Sequence, residues 1–244
     1  MNISIIIPAY NEEKRIESTL KKMITFLKKA QKIKQYEIIV VDDCSQDKTL
    51  DILENIRIEM RVSKKELSSI KNKENRGKGY SVKRGVLNAH YENILFSDAD
   101  LSTPIEELEK LLAESKENEI IIASRNMKTS RIEIKQPWFR STLGKIFPTL
   151  VNLLLIQGIK DTQCGFKLFT RKAAKTVFPR QTLDGFAFDA ELLFIARKHE
   201  LKIKEVPVTW KNAEGSTVDP IKDALKMFKD ILKIRWNNIK GKYA

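Results

Sequence analysis

The sequence predicts an α/β fold, with a mostly parallel sheet and helices on both of its faces. Short runs that are apolar throughout alternate with amphipathic segments over the first half of the chain. Strands without a polar side are typical of parallel sheets that are buried on both faces. Conspicuous polar residues follow several of these runs, and ligands bind such sheets beyond the carboxyl ends of the strands. The same pattern therefore predicts a binding crevice at one edge of the sheet.

The elements of this fold follow from the periodicity of apolar residues. Strands are expected at residues 3–7, 36–41, 67–70, 93–97 and 119–124, with helices at 12–32, 46–59, 80–90 and 105–116 between them. Glu12 and Glu13 suit the start of the first helix, because acidic side chains stabilise helix N-termini. Later helices are expected at 137–157, 188–200 and 220–240, and later strands at 165–170 and 203–210. Apart from its short strand, the Lys-rich segment 61–78 is expected to be a solvated loop.

The length of the chain fits one large domain, or one domain with a smaller appendage. The chain has 244 residues, of which 42% are hydrophobic, as is ordinary for a folded protein. We expect the domain at residues 1–215 and a C-terminal amphipathic helix at 216–244. The cysteines, Cys44 and Cys164, form neither a disulfide framework nor a metal-binding pair, which favours a reducing compartment.

The chain is strongly basic, with a net charge of +13 and a pI of about 9.6. A lysine-rich solvated surface, an anionic substrate, an anionic membrane or nucleic acid would each account for this charge. No signal peptide is recognisable in the first residues. The longest apolar run, residues 147–156, has about half of the ~20 residues that span a bilayer. We therefore expect a cytoplasmic protein that is peripheral on the cytoplasmic face of a membrane.

Asp98, Ala99 and Asp100 directly follow the fourth predicted strand. Two carboxylates at positions i and i+2 beyond a strand can converge on one hard divalent cation, Mg²⁺ or Mn²⁺. Such a cation bridges the oxygens of a diphosphate and neutralises the charge that develops as the diphosphate leaves. The alternative is a turn whose carboxylates cap the following helix.

Three further motifs lie in turns after predicted strands. Residues 8–12 contain Tyr10, which can stack on a base, and Glu12, which can bind one. After the second strand, Asp42 or Asp43 can accept hydrogen bonds from a base or ribose, or both can be capping residues. Residues 75–79 form a Gly-rich basic turn in which Lys78 can approach phosphates. This turn has neither the P-loop nor the dinucleotide-binding spacing, which disfavours kinase and dehydrogenase functions.

These four motifs, in this order, resemble the family 2 glycosyltransferases, which have the GT-A fold. The second half of the chain narrows the resemblance through DTQCGFKLFTR at 161–171, FDAELL at 188–193, VTW at 208–210 and EGS at 214–216. These segments are similar to the members that transfer glucose from UDP-glucose to dolichyl phosphate and, less closely, to those that transfer mannose. The resemblance extends from residue 3 to about residue 241.

The resemblance implies roles for residues at matching positions, and the basic turn at 75–79 adds Lys78 to them. Nucleotide-sugar binding is assigned to Pro8, Ala9, Tyr10, Glu12, Val41, Asp43, Lys78, Asp98, Ala99 and Asp100. The metal is assigned to Asp98 and Asp100. The candidate catalytic residues are Asp100, Arg125, Arg140, Asp161 and Asp189. The two arginines match phosphate-binding arginines of the mannosyl members, and bidentate guanidinium contacts suit a phosphate acceptor. Ser102 and Thr217 depart from the family pattern, since some relatives have Gln and Lys at these positions.

The implied reaction is an inverting, in-line transfer of a sugar from a UDP-sugar to dolichyl or another polyprenyl phosphate. A lipid phosphate is already anionic at neutral pH, so it needs positioning more than deprotonation. A hydroxyl acceptor, as in polysaccharide or glycan synthesis, would need a carboxylate base, for which Asp189 and Glu191 are candidates. Asp161 is a candidate for orienting the sugar or an arginine. The alternative from another class is a basic nucleic-acid-binding module, against which the carboxylates at strand ends argue.

The last 25 residues predict an amphipathic helix that carries seven Lys or Arg and two Asp. Its apolar residues recur at helical spacing: Ile221, Leu225, Phe228, Leu232 and Ile239, with Ile231 and Trp236 beside them. This stripe either packs on the domain or enters a membrane interface while the lysines meet anionic headgroups. In the second case the apolar run 147–156 would add another contact.

Overall fold

The computed structural model describes residues 1–132, 154–211 and 220–244, with side chains from residue 226 onward in the last segment. A seven-stranded sheet forms its centre. Its strands are β1 (Asn2–Ala9), β2 (Gln35–Asp42), β3 (Leu67–Lys71), β4 (Asn93–Ser97), β5 (Ile120–Ser124), β7 (Phe166–Thr170) and β8 (Ile203–Pro207). Their order across the sheet is β3-β2-β1-β4-β7-β5-β8. Two short strands, β6 (Arg131–Ile132) and β9 (Thr209–Trp210), pair separately.

Helices cover both faces of this sheet, as the apolar strands predict. They are α1 (Ile16–Lys29), α2 (Thr49–Glu59), α3 (Lys78–Leu87), α4 (Leu108–Glu114), α5 (Arg171–Val177), α6 (Phe188–Lys198) and α7 (Pro220–Ile239). The core on one face contains side chains of α1, α2 and α4. The core on the other face contains side chains of α3, α5, α6 and α7. The predicted fold class is therefore confirmed, including its C-terminal helix.

Strand β7 runs antiparallel to both of its neighbours, β4 and β5. All other neighbouring strands of the sheet are parallel. Because β7 runs the opposite way, its first residue, Phe166, pairs with Ser97, the last residue of β4. The turn before β7 therefore lies at the carboxyl edge of the sheet, beside the residues that follow β4.

Helix starts and the later strands differ from the sequence-based expectations in detail. The first helix begins at Ile16 rather than residue 12, because Asn11 has a left-handed backbone and the N–H of Glu12 donates to Thr49 Oγ1. The third helix begins earlier, at Lys78. The strand expected at 203–210 is divided into β8 and β9. Most of the helix expected at 137–157 lies outside the described residues.

The described part of α7 shares the core of the main domain. Ile231 and Ile234 are fully buried in the core on the α3 face, and Tyr243 beyond the helix packs edge-on against Phe194 of α6. The predicted domain boundary at 215/216 falls outside the described residues and stays a prediction. No helix in the described ranges is long and apolar enough to cross a bilayer.

Tyr243 connects the C-terminal segment to α6 by a hydrogen bond to the buried carboxylate of Glu191. Its hydroxyl donates to Glu191 Oε1 at 2.6 Å, and the Glu191 carboxylate also accepts from the Thr182 hydroxyl and from the N–H groups of Thr182 and Leu183. Glu191 is fully buried. Its oxygens are therefore occupied by structural hydrogen bonds.

We predict that Tyr243→Phe lowers the free energy of unfolding by about 1.5–3 kcal/mol, because a buried carboxylate loses a hydroxyl donor. Urea denaturation followed by circular dichroism measures the change. Tyr91→Phe at a partly exposed position is the control and should stay within about 0.5 kcal/mol. Equal stability of Tyr243→Phe and the wild type would contradict the prediction.

Candidate active site

A pocket of about 110 Å³ lies at the carboxyl edge of the sheet, beyond β4 and β5. It is lined by Ser97, Asp98, Asp100, Leu101, Ser102, Thr103, Arg125, Gln163, Gly165, Phe166 and Trp210. Three of the predicted site residues, Asp98, Asp100 and Arg125, therefore face one small cavity. Both signs of charge meet there, which suits a ligand with phosphate groups and a cation.

The backbone of the turn after β4 is fixed from three sides. The N–H of Asp98 donates to the carbonyl oxygen of Gly165 at 3.0 Å, and the Thr19 hydroxyl on α1 donates to the Ala99 carbonyl at 2.6 Å. The N–H of Ser102 donates to Asp100 Oδ1 at 2.9 Å, across Leu101, which has a φ of 48°. The turn therefore holds the Asp98 and Asp100 carboxylates in place before any ligand binds.

Gly165 is required by the close approach of β7 to Asp98. A Cβ atom at position 165 would lie 2.0 Å from Asp98 Oδ2 and 2.5 Å from Oδ1. No side chain fits at that distance, and the obstacle is the carboxylate itself. Sequence reasoning singled out Gly165 only as part of a family motif.

Lys78, the first residue of α3, forms an ion pair with Asp98, with 2.6 Å between Nζ and Oδ1. Burial lowers the pKa of Lys78, but the carboxylates of Asp98 and Asp189 more than offset this, and the pKa is raised. Lys78 therefore stays charged at neutral pH. Within the predicted basic turn, Lys78 pairs with a carboxylate that follows β4, whereas Arg76 pairs with Asp184.

The basic turn at 75–79 is built on Asp43. This buried carboxylate accepts hydrogen bonds from the N–H groups of Arg76 and Gly77, at 3.1 and 2.7 Å, and from Asn72 Nδ2 at 2.6 Å. Gly77 has a φ of 107°, and a Cβ there would lie 2.7 Å from the Asp184 carbonyl oxygen. Asp43 therefore shapes the turn that presents Lys78. Its predicted contact with a nucleoside stays a prediction.

The residues that follow β1 differ in how far they reach solvent. Tyr10 is exposed, whereas Ala9 is buried and its carbonyl accepts from the N–H of Asp43 at 2.8 Å. Glu12 pairs with Arg15 at 2.8 Å. Burial raises the pKa of Glu12, as do Asp100 and Asp98 nearby, although Arg15 opposes the shift. Glu12 thus lies within the electrostatic reach of the pocket carboxylates.

Pro8 and Val41 lie in neighbouring strands and pair with each other in the sheet register. The Val41 side chain is fully buried, and a Cβ on Gly85 of α3 would lie 2.9 Å from its Cγ2 atom. If Val41 contacts a nucleoside, the contact must therefore be made by the Val41 backbone. The half-buried Pro8 is nearer to solvent.

Arg125 is held by Asp161 in a bidentate ion pair. Its Nε and Nη2 atoms donate to the two carboxylate oxygens at 2.7 and 2.9 Å, and its own N–H donates to Oδ2 at 2.9 Å. Burial raises the pKa of Asp161, but Arg125 opposes this more strongly, so the pKa is lowered. Of the two roles considered for Asp161, this geometry corresponds to orienting an arginine. Arg140 lies outside the described residues.

Asp189 is not open to the pocket, because it is buried in an ion pair with Lys167. Lys167 Nζ also donates to the Cys164 carbonyl at 2.6 Å. Burial raises the pKa of Asp189, while Lys167 and then Lys78 oppose the shift. Sequence reasoning missed the role of Lys167. The signal was present, since a lysine inside the otherwise apolar strand Phe166–Thr170 needs a buried partner.

Asp98 and Asp100 are the carboxylates that a divalent cation would meet in this pocket. No cluster of three or more His, Cys, Asp or Glu suited to a metal occurs within residues 1–132, 154–211 and 220–244. Magnesium-like ions are commonly held by one or two carboxylates, with substrate phosphates and water completing the shell. Two carboxylates beside a phosphate-sized pocket fit this donor set.

Comparison with known proteins places the chain in a family of enzymes. The model of glycosyl transferase family 2 matches residues 4–178. The dolichyl-phosphate β-glucosyltransferases of Dictyostelium discoideum and Homo sapiens are 39% and 37% identical to this chain. Each alignment covers 98% of this chain, with 75% and 76% of the respective relatives. The chain therefore belongs to glycosyl transferase family 2, and the resemblance seen in its motifs is confirmed.

Solved structures share the fold at low sequence identity. Glucosyl-3-phosphoglycerate synthase from Mycobacterium tuberculosis, in complex with Mn²⁺, UDP-glucose and phosphoglyceric acid, has a TM-score of 0.70 and 16% identity. The match covers 96% of this chain and 79% of that one. TarS 1–349 from S. aureus, in complex with UDP-GlcNAc, has a TM-score of 0.60 and 19% identity, over 96% and 66% of the chains. These matches confirm the GT-A-like fold.

We predict that Gly165→Ala lowers the rate of glycosyl transfer by at least about 100-fold, since a 1 Å displacement at such a site has effects of this size. The cause is the collision of the new Cβ atom with the Asp98 carboxylate. Gly185→Ala is the matched control, because the nearest atoms to a Cβ there lie 3.8 Å away. A folded Gly165→Ala protein with the activity of the wild type would contradict the assignment of Asp98 to the site.

Proposed function

We propose that the protein transfers glucose from UDP-glucose to dolichyl phosphate or a closely related polyprenyl phosphate, with inversion at the anomeric carbon. The observation that carries this proposal is the pocket beyond β4, where Asp98, Asp100 and Arg125 face one cavity. Relatives named for this reaction match nearly the whole chain at 35–39% identity, which supports the choice of sugar and acceptor.

The donor diphosphate is proposed to lie between Lys78 and the carboxylates of Asp98 and Asp100. A divalent cation held by these carboxylates, Mg²⁺ or Mn²⁺, would neutralise charge on the departing UDP. Mn²⁺ in the synthase from M. tuberculosis supports this proposal, because the two proteins share a fold. Lys78, now paired with Asp98, can turn its ammonium group toward a phosphate oxygen. The exposed Tyr10 and the residues around it are proposed to receive the nucleoside.

Arg125 is proposed to position the acceptor phosphate. Asp161 occupies Nε and Nη2 on one edge of its guanidinium group. Donors on the other edge are left to bind a phosphate oxygen in the pocket. Arg140 is proposed to share this role. An acceptor that is already anionic can attack without a general base, so the enzyme has only to hold it in line.

A hydroxyl acceptor finds less support in the arrangement of carboxylates. Asp189 is buried against Lys167, and Glu191 accepts hydrogen bonds from Thr182, Leu183 and Tyr243. Neither carboxylate is free to take a proton from a sugar hydroxyl in the pocket. A catalytic role of Asp189 as a base therefore stays a prediction of the sequence, and we favour the phosphate acceptor.

The proposed acceptor is a lipid, so we also propose that the protein works at a membrane surface. The strongly basic chain suits the anionic cytoplasmic leaflet, where nearby lysine and arginine residues are attracted. The cytoplasmic face itself stays a prediction. A nucleic-acid partner is not proposed.

A donor and acceptor screen tests the proposed function. The full chain is incubated with radiolabelled UDP-glucose, UDP-GlcNAc or GDP-mannose, and with a polyprenyl phosphate or the corresponding free alcohol. We expect label in the lipid phase only with UDP-glucose and the phosphate. Transfer to the alcohol at a similar rate would favour a hydroxyl acceptor, and transfer from GDP-mannose alone would refute the donor assignment.

Removal of the metal should have the same effect as removal of Asp100. We predict that Asp100→Asn, which keeps the shape of the side chain but not its charge, lowers the rate by about 100-fold or more, as does chelation of the wild type by EDTA. Mn²⁺ or Mg²⁺ should restore the chelated wild type but not the variant. A variant that keeps full activity at saturating donor would remove Asp100 from the metal site.

The two arginines should affect acceptor binding more than donor binding. We predict that Arg125→Lys and Arg140→Lys each raise the KM for the polyprenyl phosphate by about tenfold, because lysine lacks the planar, bidentate donor group. The KM for UDP-glucose should change much less. Lys172→Arg on the exposed part of α5 is a neutral control. An effect confined to the donor KM would instead move the arginine concerned to the diphosphate.

A further inference from the structure

Among the residues that the structure describes, helix α7 has two separate apolar surfaces, one buried in the core and one exposed. Ile231 and Ile234 are buried in the core, and Asn237 continues this inner face. Phe228, Leu232, Trp236 and Ile239 are exposed by 39, 52, 57 and 75%. These four make up the outer stripe, and none of them belongs to the core formed by the described residues. Ten large apolar side chains are exposed in the described ranges, and four of them lie on this one helix.

The outer stripe is narrow, continuous and bordered by cations. With about 100° between successive residues of an α-helix, its four members fall within an arc of roughly 80°. Lys229 and Lys233 follow on one side of this arc, as does Lys240 directly after the helix, and Arg235 lies on the other side. Residues 226–244 contain six Lys or Arg and a single Asp. The surface therefore combines apolar side chains with a positive border.

Lys226 of α7 lies beside the loop that supports the proposed donor site. A Cβ on Gly185 would be 3.8 Å from Lys226 Nζ. The neighbouring Asp184 carbonyl accepts from the N–H of Gly79, next to Lys78, at 2.8 Å. Phe186, in the same loop, is exposed. Lys226 and the basic turn therefore lie against the same loop, around Asp184 and Gly185.

We propose that the outer stripe of α7 docks the protein onto an anionic lipid surface. This inference builds on the proposed lipid acceptor, whose phosphate lies at the headgroup level of a membrane. An interfacial helix has large apolar side chains, an aromatic residue and flanking cations, as this stripe does. The apolar residues enter the headgroup region, and the lysines bind anionic headgroups. Nucleic acid would match the cations but would leave the stripe uncovered.

Vesicle flotation of the full chain tests the docking surface. Wild-type protein should float with phosphatidylcholine vesicles that contain phosphatidylglycerol, float poorly without it, and bind less as salt rises. Leu232→Ser/Trp236→Ser and Lys229→Glu/Lys233→Glu should each lower the vesicle partition coefficient by about tenfold or more. The matched controls are Ile58→Ser/Leu87→Ser, at exposed apolar sites elsewhere, and Lys64→Glu/Lys65→Glu, with the same charge change. Both controls should float as the wild type does.

Failure of the docking surface is distinguishable from failure of the proposed function. With a short-chain, water-soluble polyprenyl phosphate and no vesicles, the α7 variants should transfer glucose at the rate of the wild type. A wild-type protein that floats but glucosylates no polyprenyl phosphate would refute the proposed function and leave the docking intact.

Two results would refute the docking surface. In the first, folded α7 variants float as well as the wild type. In the second, light scattering shows a wild-type dimer that Leu232→Ser/Trp236→Ser converts to monomers without loss of vesicle binding. The stripe would then be a contact between copies of the chain.

Discussion

Charges of alternating sign run from the pocket into the core, and the arrangement of the site depends on them. Lys78 pairs with Asp98 at the pocket and is also attracted to Asp189, which is itself buried against Lys167. Burying an ion costs several kcal/mol unless a partner is held in good geometry, and removing one partner costs about 3–5 kcal/mol. The start of α3, the start of α6, the end of β4 and strand β7 must therefore keep their relative positions. This requirement links the residues that are proposed to bind the donor to the buried ion pair behind them.

The reversed direction of β7 makes this chain of charges possible. A parallel strand in the same place would put its start at the opposite edge of the sheet. Because β7 is antiparallel, Gly165 reaches Asp98, and Lys167 two residues later points into the core toward α6. The absence of a side chain at Gly165 lets the two backbones approach, and the Cys164 carbonyl gives the buried ammonium a second acceptor. The segment 164–167 thus lines the pocket through Gly165 and pairs with the buried Asp189 carboxylate through Lys167.

The C-terminal helix is connected to this site through side chains that sequence patterns do not link. Tyr243 donates to Glu191, which holds the backbone at Thr182 and Leu183, and Asp184 in turn accepts from Gly79. Ile231 and Ile234 on the inner face of α7 pack into the same core and hold the helix in place. Its outer stripe is exposed, so the packing of the helix and its proposed docking to lipid use different residues.

The sequence by itself determined the fold class, the family and the turns at the carboxyl edge of the sheet. These follow from local periodicity and from short motifs, because each depends on residues near one another in the chain. Tertiary structure alone decided the direction of β7, the pairing of Arg125 with Asp161, and the burial of Asp189 against Lys167. It also decided that Asp43 supports the basic turn and that the face of α7 holding Ile231 and Ile234 is the one that packs. Each of these joins residues that are distant in the chain or selects one face of an element. Such choices depend on which combination of buried side chains and ion pairs gives the whole fold its lowest free energy. A short segment of sequence does not determine this, because the partners lie elsewhere in the chain.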